Sequence, residues 1–458
     1  MHNNVVKSQD FRAAQVGQAF LEYYKGEGFK PIPGSSLLDP SVPMSFVMSA
    51  GLVQVETSAR QHEGQLGDRY VLVQNCFRHF DLDRIGHNDL HLSLFQMPGA
   101  FLFGPVDKGA AIARTWRLLT GVYGLPIDRL WVTYFAGDLV AGHRFEADQE
   151  ARDAWLDPGL PAGHLVGLGA GHNFWKQGAS VVGKEHVPKC GPNTEVFFDR
   201  GAHLACGPAC RPGCTCGRFV ELLNMLFITW HIEDEAGIIR PLETPFTETV
   251  MGAERMAMLV QGVSSVFDID TLRPLIEQVR RLSQSPTLPA GDRVHQERVL
   301  VDHLRALLFL AADGAPPPGR GGRAYLMRQL TRGVLTAQRI LGIREPGFVD
   351  SLLQMALGLY VGDQPQLHSG YDRLRGYLTE ENARFQHTQA RGLRYLDRLL
   401  RQRGDGRISG EEMVRLEKQH GIPEPLLEAM LRERQVQYSR DAYQAAYKQW
   451  RQAAVGAA

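Results

Sequence analysis

Two kinds of hydrophobic periodicity divide the sequence near residue 262. Before this point, short runs rich in β-branched and aromatic residues alternate with polar turns, which predicts strands in a mixed α+β fold. After about residue 265, apolar residues recur at helical spacing, as in 299–310 and 376–400. We therefore predict a first domain over 1–262 and an all-helical region over 263–458.

The same patterns predict individual elements. Apolar residues at helical spacing predict an amphipathic helix over 10–30, and the strands after it should form an antiparallel sheet. A Pro/Gly-rich stretch at 315–322 predicts a loop between two helices, and a break at 404–407 should be followed by two more helices. The strand candidates are 71–73, 130–135, 194–198 and 220–230.

Composition indicates an ordinary globular protein rather than a disordered or membrane chain. The 458 residues include 50 basic and 50 acidic side chains, so a nucleic-acid partner would need a local basic surface. The first ten residues contain no apolar signal core, and no apolar run approaches the roughly 20 residues of a membrane helix. We expect a cytoplasmic protein without a membrane partner.

Four of the six cysteines cluster in a Gly/Pro-rich insert at about 200–217. They are Cys206, Cys210, Cys214 and Cys216. Without a secretion signal, such clustering favours a metal over disulfides, and four thiolates suit a structural, tetrahedral Zn²⁺. His203 or Cys190 could replace one ligand. Free thiols, a redox pair and an iron–sulfur cluster remain alternatives.

Two segments have residues suited to a nucleotide. Gly252 and Arg255 begin an apolar helical run, where glycine admits a flat ligand and the arginine can reach a phosphate. Arg78 ends a predicted strand, and Phe95 and Met97 lie on the next one, where an aromatic or thioether group suits an adenine face. An ordinary helix start and a surface arginine on a hairpin are the structural alternatives.

Three further residues suit an amino acid and a metal ion. A tight Gly-Pro turn after Cys190 should place Glu195 on a strand, where its carboxylate could bind Mg²⁺. Trp175 could form a wall of a small amino-acid pocket or belong to the core. Asn224 is polar within an apolar run, so if buried it needs a hydrogen-bond partner, either a ligand or a backbone group.

In this order, the segments resemble the aminoacylation core of the alanyl-tRNA synthetases, a class II family. The resemblance rests on Arg78, Phe95–Met97, Asn173–Trp175, Cys190–Glu195, Asn224 and Met251–Arg255. Residues 42–51 resemble the family's motif 1, with Pro43 as its proline, and the likeness continues through 267–270, 301–305 and 312–314. It covers nearly the whole chain.

The resemblance implies an antiparallel sheet of six or seven strands flanked by helices, followed by a helical tRNA-binding region. It implies that ATP, with Mg²⁺, and alanine form an alanyl-adenylate, from which the alanyl group passes to the 3′ end of tRNA. By position, Arg78 would hold the α-phosphate and the amino-acid carboxylate, and Arg255 the γ-phosphate. Trp175 and Asn224 would shape the amino-acid pocket.

The sequence departs from the family in the amino-acid pocket. Glu248 stands where the family has an aspartate that binds the α-amino group, which moves the carboxylate out by one methylene. Val250 stands where the family has glycine, and its bulk should disfavour side chains larger than methyl. We therefore expect a small amino acid, alanine or glycine.

The acceptor-stem positions differ as well. Gly322 and Lys418 replace an asparagine and an aspartate that could contact a base-pair edge, although Lys418 can still hold a phosphate. The helix after the 315–322 loop keeps a basic face, which either binds tRNA or is simply solvated. Its arginines are Arg320, Arg323, Arg328 and Arg332.

Two other functions fit these departures. The chain would adenylate a small amino acid and pass it to a biosynthetic small molecule or a carrier protein, or it would be an inactive regulatory paralogue. The family's editing and C-terminal oligomerising domains do not appear in the sequence, so we expect a monomer. An enzyme without editing would need a separate corrector, since one methylene is worth only about 1–3 kcal/mol in discrimination.

Overall fold

The computed structural model describes residues 11–39, 68–177, 188–233, 237–403 and 406–456. The predicted motif 1 segment, 42–51, lies outside them. The chain divides into two compact units: the first runs to Arg273 apart from 85–87, and the second comprises 85–87 and the residues from Pro274 onward. The predicted division of function between 1–262 and 263–458 stays a prediction.

The first unit is built on one mixed sheet and a small separate hairpin. Its strands are β1 (Lys30–Pro31), β2 (Arg69–Phe77), β3 (Leu94–Phe103), β4 (Leu130–Phe135), β5 (Asp138–Val140), β6 (His143–Phe145), β7 (Leu165–Leu168), β8 (Phe174–Lys176), β9 (Lys189–Asp199), β10 (Phe219–Glu233) and β11 (Ile238–Met251). In the described residues the main sheet has nine strands in the order β1-β2-β3-β11-β10-β9-β4-β7, with β8 beside β9.

The antiparallel sheet predicted for this unit is confirmed in its central part. The six strands from β2 to β4 pair antiparallel throughout, while β1 and β7 add parallel neighbours at the two edges. We predicted six or seven strands, and the described sheet has nine. The additional strands are short, and they are too brief to show a periodic pattern in the sequence. The hairpin is formed by β5 and β6.

Five helices of the described residues belong to this unit, and the longer ones bury apolar side chains. They are α1 (Ala13–Gly26), α2 (Lys108–Arg117), α3 (Gln149–Leu156), α4 (Ala170–Asn173) and α5 (Ala253–Val260). On α1, Val16, Phe20 and Tyr24 are buried at helical spacing. Asp107 caps the start of α2, where its carboxylate accepts a hydrogen bond from the Ala110 backbone amide at 2.8 Å.

The Gly-Pro pair predicted as a tight turn is instead part of a strand, so that prediction is wrong. Gly191 and Pro192 lie inside β9, and Gly191 pairs with Trp175 of β8. On the other side, a Cβ at Gly191 would overlap the carbonyl oxygen of Phe227 in β10. Glycine is therefore required for close approach of two backbones, and not for a turn.

The second unit is helical, as the sequence predicts. Its helices are α6 (Arg273–Leu282), α7 (Ala290–Ala312), α8 (Gly322–Ile340), α9 (Phe348–Tyr360), α10 (Leu367–Arg403), α11 (Gly410–Lys418), α12 (Glu424–Glu433) and α13 (Arg440–Gly456). No described helix combines the length and apolarity that crossing a membrane would require.

Three helices, α11 to α13, follow the break near residue 404, where the sequence predicted two. The interval between α12 and α13 contains neither glycine nor proline, so composition does not mark it. Gln435 takes a left-handed φ of 57° there and ends α12. The missed boundary is thus set by a residue that rarely adopts this conformation.

A buried carboxylate joins α8 to α10. Glu381 is 1% exposed, and it accepts a hydrogen bond from Arg332 Nε at 2.7 Å, with Arg384 Nη1 at 3.5 Å. The Arg332 guanidinium also lies over the Phe385 ring, 5.4 Å from its centroid. A buried charge is tolerated only with such partners, so Arg332 has a structural role in this unit.

We predict that Arg332→Ala lowers the free energy of unfolding by about 3 kcal/mol, because it leaves Glu381 buried with only its longer contact to Arg384. Urea unfolding followed by far-UV circular dichroism measures the change. The control is Arg328→Ala, one turn earlier on α8, where the arginine lies over the Tyr325 ring and should cost much less. Equal losses in the two variants would show that Glu381 does not need Arg332.

Candidate functional site

Nine of the ten residues predicted to bind nucleotide or amino acid line one cavity of about 230 Å³ in the first unit. These nine are Arg78, Phe95, Met97, Trp175, Asn224, Glu248, Val250, Gly252 and Arg255. The tenth, Glu195, is joined to the cavity by a hydrogen bond from Asn224 Nδ2 to its Oε1 at 3.2 Å. Positions far apart in the sequence therefore meet at one place.

Strand register explains this convergence. Asn224 of β10 pairs with Glu195 of β9 on one side and with Val250 of β11 on the other, and Val250 pairs with Gly99 of β3. Paired positions on neighbouring strands share a face of the sheet. A Cβ added at Gly99 would lie 2.9 Å from the Phe101 ring and 3.3 Å from Val250 Cγ1, so the glycine leaves space for both side chains.

The two predicted phosphate ligands are both half-buried and both partly engaged. Arg255, in the first turn of α5, donates from Nη1 to the Glu221 carbonyl oxygen at 3.0 Å and approaches Glu221 Oε2 at 3.4 Å. Arg78 follows β2, and its Cζ lies 5.0 Å from the centroid of the Phe95 ring. Each guanidinium lines the cavity wall. A guanidinium has five N–H donors, so further N–H groups can bind an anion in the cavity.

Asn224 has two side-chain partners. Its Oδ1 accepts from Asn193 Nδ2 at 3.1 Å, and its Nδ2 donates to Glu195 at 3.2 Å. The sequence left a ligand or a backbone group as the partner, whereas the neighbouring strand supplies both bonds. Trp175 combines the two roles left open for it, because it lines the cavity and packs against the core cluster that contains Phe101.

The surroundings of Glu195 disfavour the charged form of its carboxyl group. Burial raises its pKa to about 8, the charge of Glu221 adds to the rise, and a hydrogen bond with Thr133 opposes it. A divalent cation between Glu195 and Glu221 would offset their repulsion, and carboxylate oxygens are the ligands that Mg²⁺ prefers. The donor set of these residues therefore fits a magnesium ion.

Several polar residues of this cavity were not predicted from the sequence, namely Asp81, His91, Glu221 and Glu254. Glu221 gave the same signal as Asn224, a polar residue within an apolar run, three positions earlier. The Glu254 carboxylate accepts from the Gln96 amide at 3.0 Å and so joins α5 to β3. Burial, followed by the charge of Arg255, lowers the pKa of His91.

Three of the four predicted zinc ligands meet in the loop between β9 and β10. The Sγ atoms of Cys206, Cys210 and Cys216 lie within 4.8 Å of one another, and Cys210 and Cys216 are 3.5 Å apart. Cys214 is not part of this group. Cys190, an alternative ligand in the sequence analysis, is buried in a separate apolar cluster with Phe135, so that alternative is wrong.

The predicted acceptor-stem residues lie in the second unit. Arg320 is exposed just before α8, and Arg323 and Arg328 follow half-buried on that helix, so these three keep a basic face near its start. Arg332 is committed to the buried Glu381. This helix therefore has a basic stretch near its start, and one turn further along an arginine that is paired with a buried carboxylate.

Lys418 is held by its own unit. Its Nζ lies 2.7 Å from Glu417 Oε1, 4.4 Å from the Tyr447 ring centroid and 5.2 Å from that of Trp450. Tyr443 OH also donates to Glu417, at 2.7 Å. This enclosure by α13 competes with any phosphate for the ammonium group.

Comparison with known proteins shows which family the chain belongs to. A family model described as tRNA synthetases class II (A) matches residues 15–457. An alanine–tRNA ligase of Dehalococcoides mccartyi is 32% identical over 417 residues, covering 90% of this chain and 45% of the relative. One of Methylobacillus flagellatus is 34% identical over 451 residues, covering 95% and 49%. The chain thus spans about half the length of these curated relatives.

Solved structures give a more distant likeness. Histidyl-tRNA synthetase of S. aureus aligns with a TM-score of 0.33 and 12% identity, covering 61% of this chain and 81% of that one. A pyrrolysyl-tRNA synthetase of Desulfitobacterium hafniense aligns with a TM-score of 0.30 and 10% identity, covering 56% and 71%.

We predict that Glu195→Gln stabilises the protein at alkaline pH. Because the folded-state pKa of Glu195 is raised from 4.5 to about 8, the unfolded chain releases this proton first, and the parent loses stability as pH rises through that window. Glutamine has no such proton, so the advantage of the variant should be small near pH 5 and largest above pH 8.

Urea unfolding at about pH 5 and pH 9, with EDTA present, measures this difference. Glu150→Gln on α3 is the control, because that side chain is 60% exposed and its substitution should give no pH-dependent change. An advantage of Glu195→Gln that does not grow between the two pH values would contradict the raised pKa.

Proposed function

The chain belongs to the class II (A) tRNA synthetase family, and on this premise we propose that it activates alanine with ATP and transfers the alanyl group to the 3′ end of tRNA(Ala). Its similarity to alanine–tRNA ligases, over nine-tenths of its own length, supports alanine and tRNA as the substrates. The observation that carries the proposal is the single cavity lined by nine of the ten predicted nucleotide and amino-acid residues.

The proposed reaction needs positioning and charge neutralisation more than proton transfer. A carboxylate oxygen of alanine attacks the α-phosphorus of ATP, and the bond to the β-phosphate oxygen breaks to release pyrophosphate. The tRNA hydroxyl then attacks the carbonyl carbon and AMP leaves. Arg78 would hold the α-phosphate and the amino-acid carboxylate, and Arg255 the γ-phosphate, so that both stabilise developing charge.

The remaining residues of the cavity have distinct proposed roles. Glu195, with Glu221, would hold the Mg²⁺ that accompanies ATP, and Phe95 and Met97 would contact the adenine. Glu248 is 3% exposed and would bind the α-amino group as a buried carboxylate. Val250 and Trp175 would limit the space for the side chain, which favours alanine or glycine over larger amino acids.

Transfer to tRNA is favoured over transfer to another acceptor by the helical unit. The basic start of α8, with Arg320, Arg323 and Arg328, offers donors for phosphates that a small acceptor would not need. Lys418 would contribute less than the sequence suggests, because Glu417 and the aromatic rings of α13 already surround it. Gly322 has no side chain with which to contact a base edge.

We further propose that the loop between β9 and β10 binds a structural zinc ion. Tetrahedral Zn²⁺ with thiolate ligands at about 2.3 Å requires sulfurs roughly 3.8 Å apart, and the Cys210–Cys216 distance of 3.5 Å is close to that value. Cys206 completes a set of three, and Cys214 would supply the fourth ligand after a local shift. The zinc would hold a loop that is rich in glycine and proline.

The proposed activity is tested by ATP–pyrophosphate exchange with alanine, glycine and serine, followed by transfer to tRNA. We expect exchange with alanine, and a loss of roughly a hundredfold or more in Arg78→Ala and in Arg255→Ala, since each removes a phosphate ligand. Arg69→Ala is the control, because this arginine lies on β2 at the surface and its removal should leave exchange unchanged.

The outcomes separate the candidate functions. Exchange without transfer to any tRNA would select a ligase that uses another acceptor. Exchange with none of the three amino acids would rule out both ligase functions and leave a regulatory protein. Equal loss in the three arginine variants would show that the cavity is not the catalytic site.

For the metal, elemental analysis of protein purified without chelator should find about one zinc per chain. Cys210→Ser should lose this zinc, because the substitution removes a central thiolate of the group. Cys190→Ala, which lies outside the group, should retain it. A fully folded parent protein without metal would refute the zinc site.

A further inference from the structure

A second cavity, of about 450 Å³, lies within the helical unit. It is bounded by the end of α8 and the residues just after it, the middle of α10, and the end of α12. Its size falls in the range of roughly 300–1,000 Å³ that is usual for sites of small molecules. None of the residues predicted from sequence to bind nucleotide, amino acid, tRNA or metal lines it.

The cavity has an apolar floor and a basic, amide-rich rim. Buried side chains of Leu335, Ile340, Leu426 and Met430 form part of the floor. The rim carries three arginines and one glutamate, namely Arg339, Arg344, Arg434 and Glu433, together with the amides of Gln338, Asn382, Gln386 and Gln389. An apolar surface suits the face of a base, and arginines suit a phosphate.

The strongest indication of a ligand is Gln389. It is 3% exposed, its Oε1 accepts from Arg339 Nη1 at 2.8 Å, and it lines the cavity. Among the described residues, its Nε2 atom has no hydrogen-bond partner. Leaving a buried N–H donor unmet costs about 1–3 kcal/mol. The Nε2 atom itself is closed to solvent, so an acceptor on a ligand would recover that energy after a rotation of the Gln389 side chain toward the cavity.

Arg344 is the positively charged side chain of this cavity that is most available to a ligand. It is exposed, and within the described part of the chain it makes no ion pair with an acidic side chain. Arg434, by contrast, shares its Nε with Asp397 at 3.7 Å and bonds the Met430 carbonyl oxygen at 3.3 Å. A phosphate would therefore find its freest partner in Arg344.

We propose that this cavity binds a nucleotide unit, with the base on the apolar floor, an acceptor of the base edge on Gln389 Nε2, and the phosphate on Arg344 and Arg339. The nucleotide is either free or presented unpaired by an RNA chain. The proposal extends the proposed function and rests on it only in taking RNA as one source.

The test measures binding of a fluorescein-labelled single-stranded RNA to the full chain by anisotropy, at fixed salt because phosphate contacts are screened. Arg344→Glu and Gln389→Leu should each weaken binding at least about tenfold, or about 1.4 kcal/mol. Arg398→Glu is the control, since it reverses the same charge on an exposed part of α10 away from the cavity and should change binding by less than about twofold.

Photo-crosslinking with 8-azido-AMP, followed by peptide mapping, separates the two sources. Labelling within 335–344 or 382–393 would assign a free nucleotide, and weakened RNA binding without such labelling would assign a nucleotide presented by RNA. Equal weakening in all three variants, or no weakening in either cavity variant together with no labelling there, would overturn the proposal.

Pyrophosphate exchange by the parent protein, measured on the same preparations, keeps the two proposals apart. If exchange fails with every amino acid, the proposed ligase function fails while the RNA and crosslinking results stand. If exchange succeeds, the cavity variants bind RNA like the parent and no labelling falls within 335–344 or 382–393, only the nucleotide site is lost.

Discussion

The close approach of β9 and β10 at Gly191 is the constraint on which the candidate site depends. A side chain at this position would overlap the carbonyl oxygen of Phe227, so the two strands can meet there only through glycine. The pairing of the two strands is irregular at this contact, and on one side of it Asn224 lies opposite Glu195. On its other side, the same glycine pairs with Trp175, the aromatic wall of the cavity. Gly191 thus lets three strands pack closely beside the acid, the amide and the aromatic ring of the cavity.

Much of this arrangement can be predicted from local patterns. The strand at 130–135 follows from its β-branched and aromatic residues, and the order of the motifs predicts that Arg78 and Arg255 converge. Gly191 shows where local patterns fail. A glycine beside a proline is typical of a turn, but this glycine is required because the backbone of the neighbouring strand lies too close for a side chain. Glu221 was missed although the strand pattern offered it, because one polar residue at the start of an apolar run is usually solvated.

Charge in the helical unit illustrates a second limit. The zero net charge of the chain hides pairs between residues far apart, such as Arg332 and Glu381, which are 49 positions apart in sequence. Pairing of this kind removes an arginine from a predicted tRNA-binding face. Lys418 is withdrawn in the same way by Glu417 and the rings of α13. The arginines left available to a nucleic acid are those that the fold does not use for itself.

Val250 differs from the glycine of the resembled family, and its partner on the next strand explains how the larger side chain fits. Val250 pairs with Gly99, and a Cβ at Gly99 would lie 3.3 Å from a valine methyl. The valine thus fits because the neighbouring strand carries no side chain at that level, and its bulk also lines the cavity. A smaller residue at 250 would open that part of the cavity wall, and a larger residue at 99 would push the valine toward the ligand. The space at this part of the cavity is therefore set by a pair of residues on two neighbouring strands.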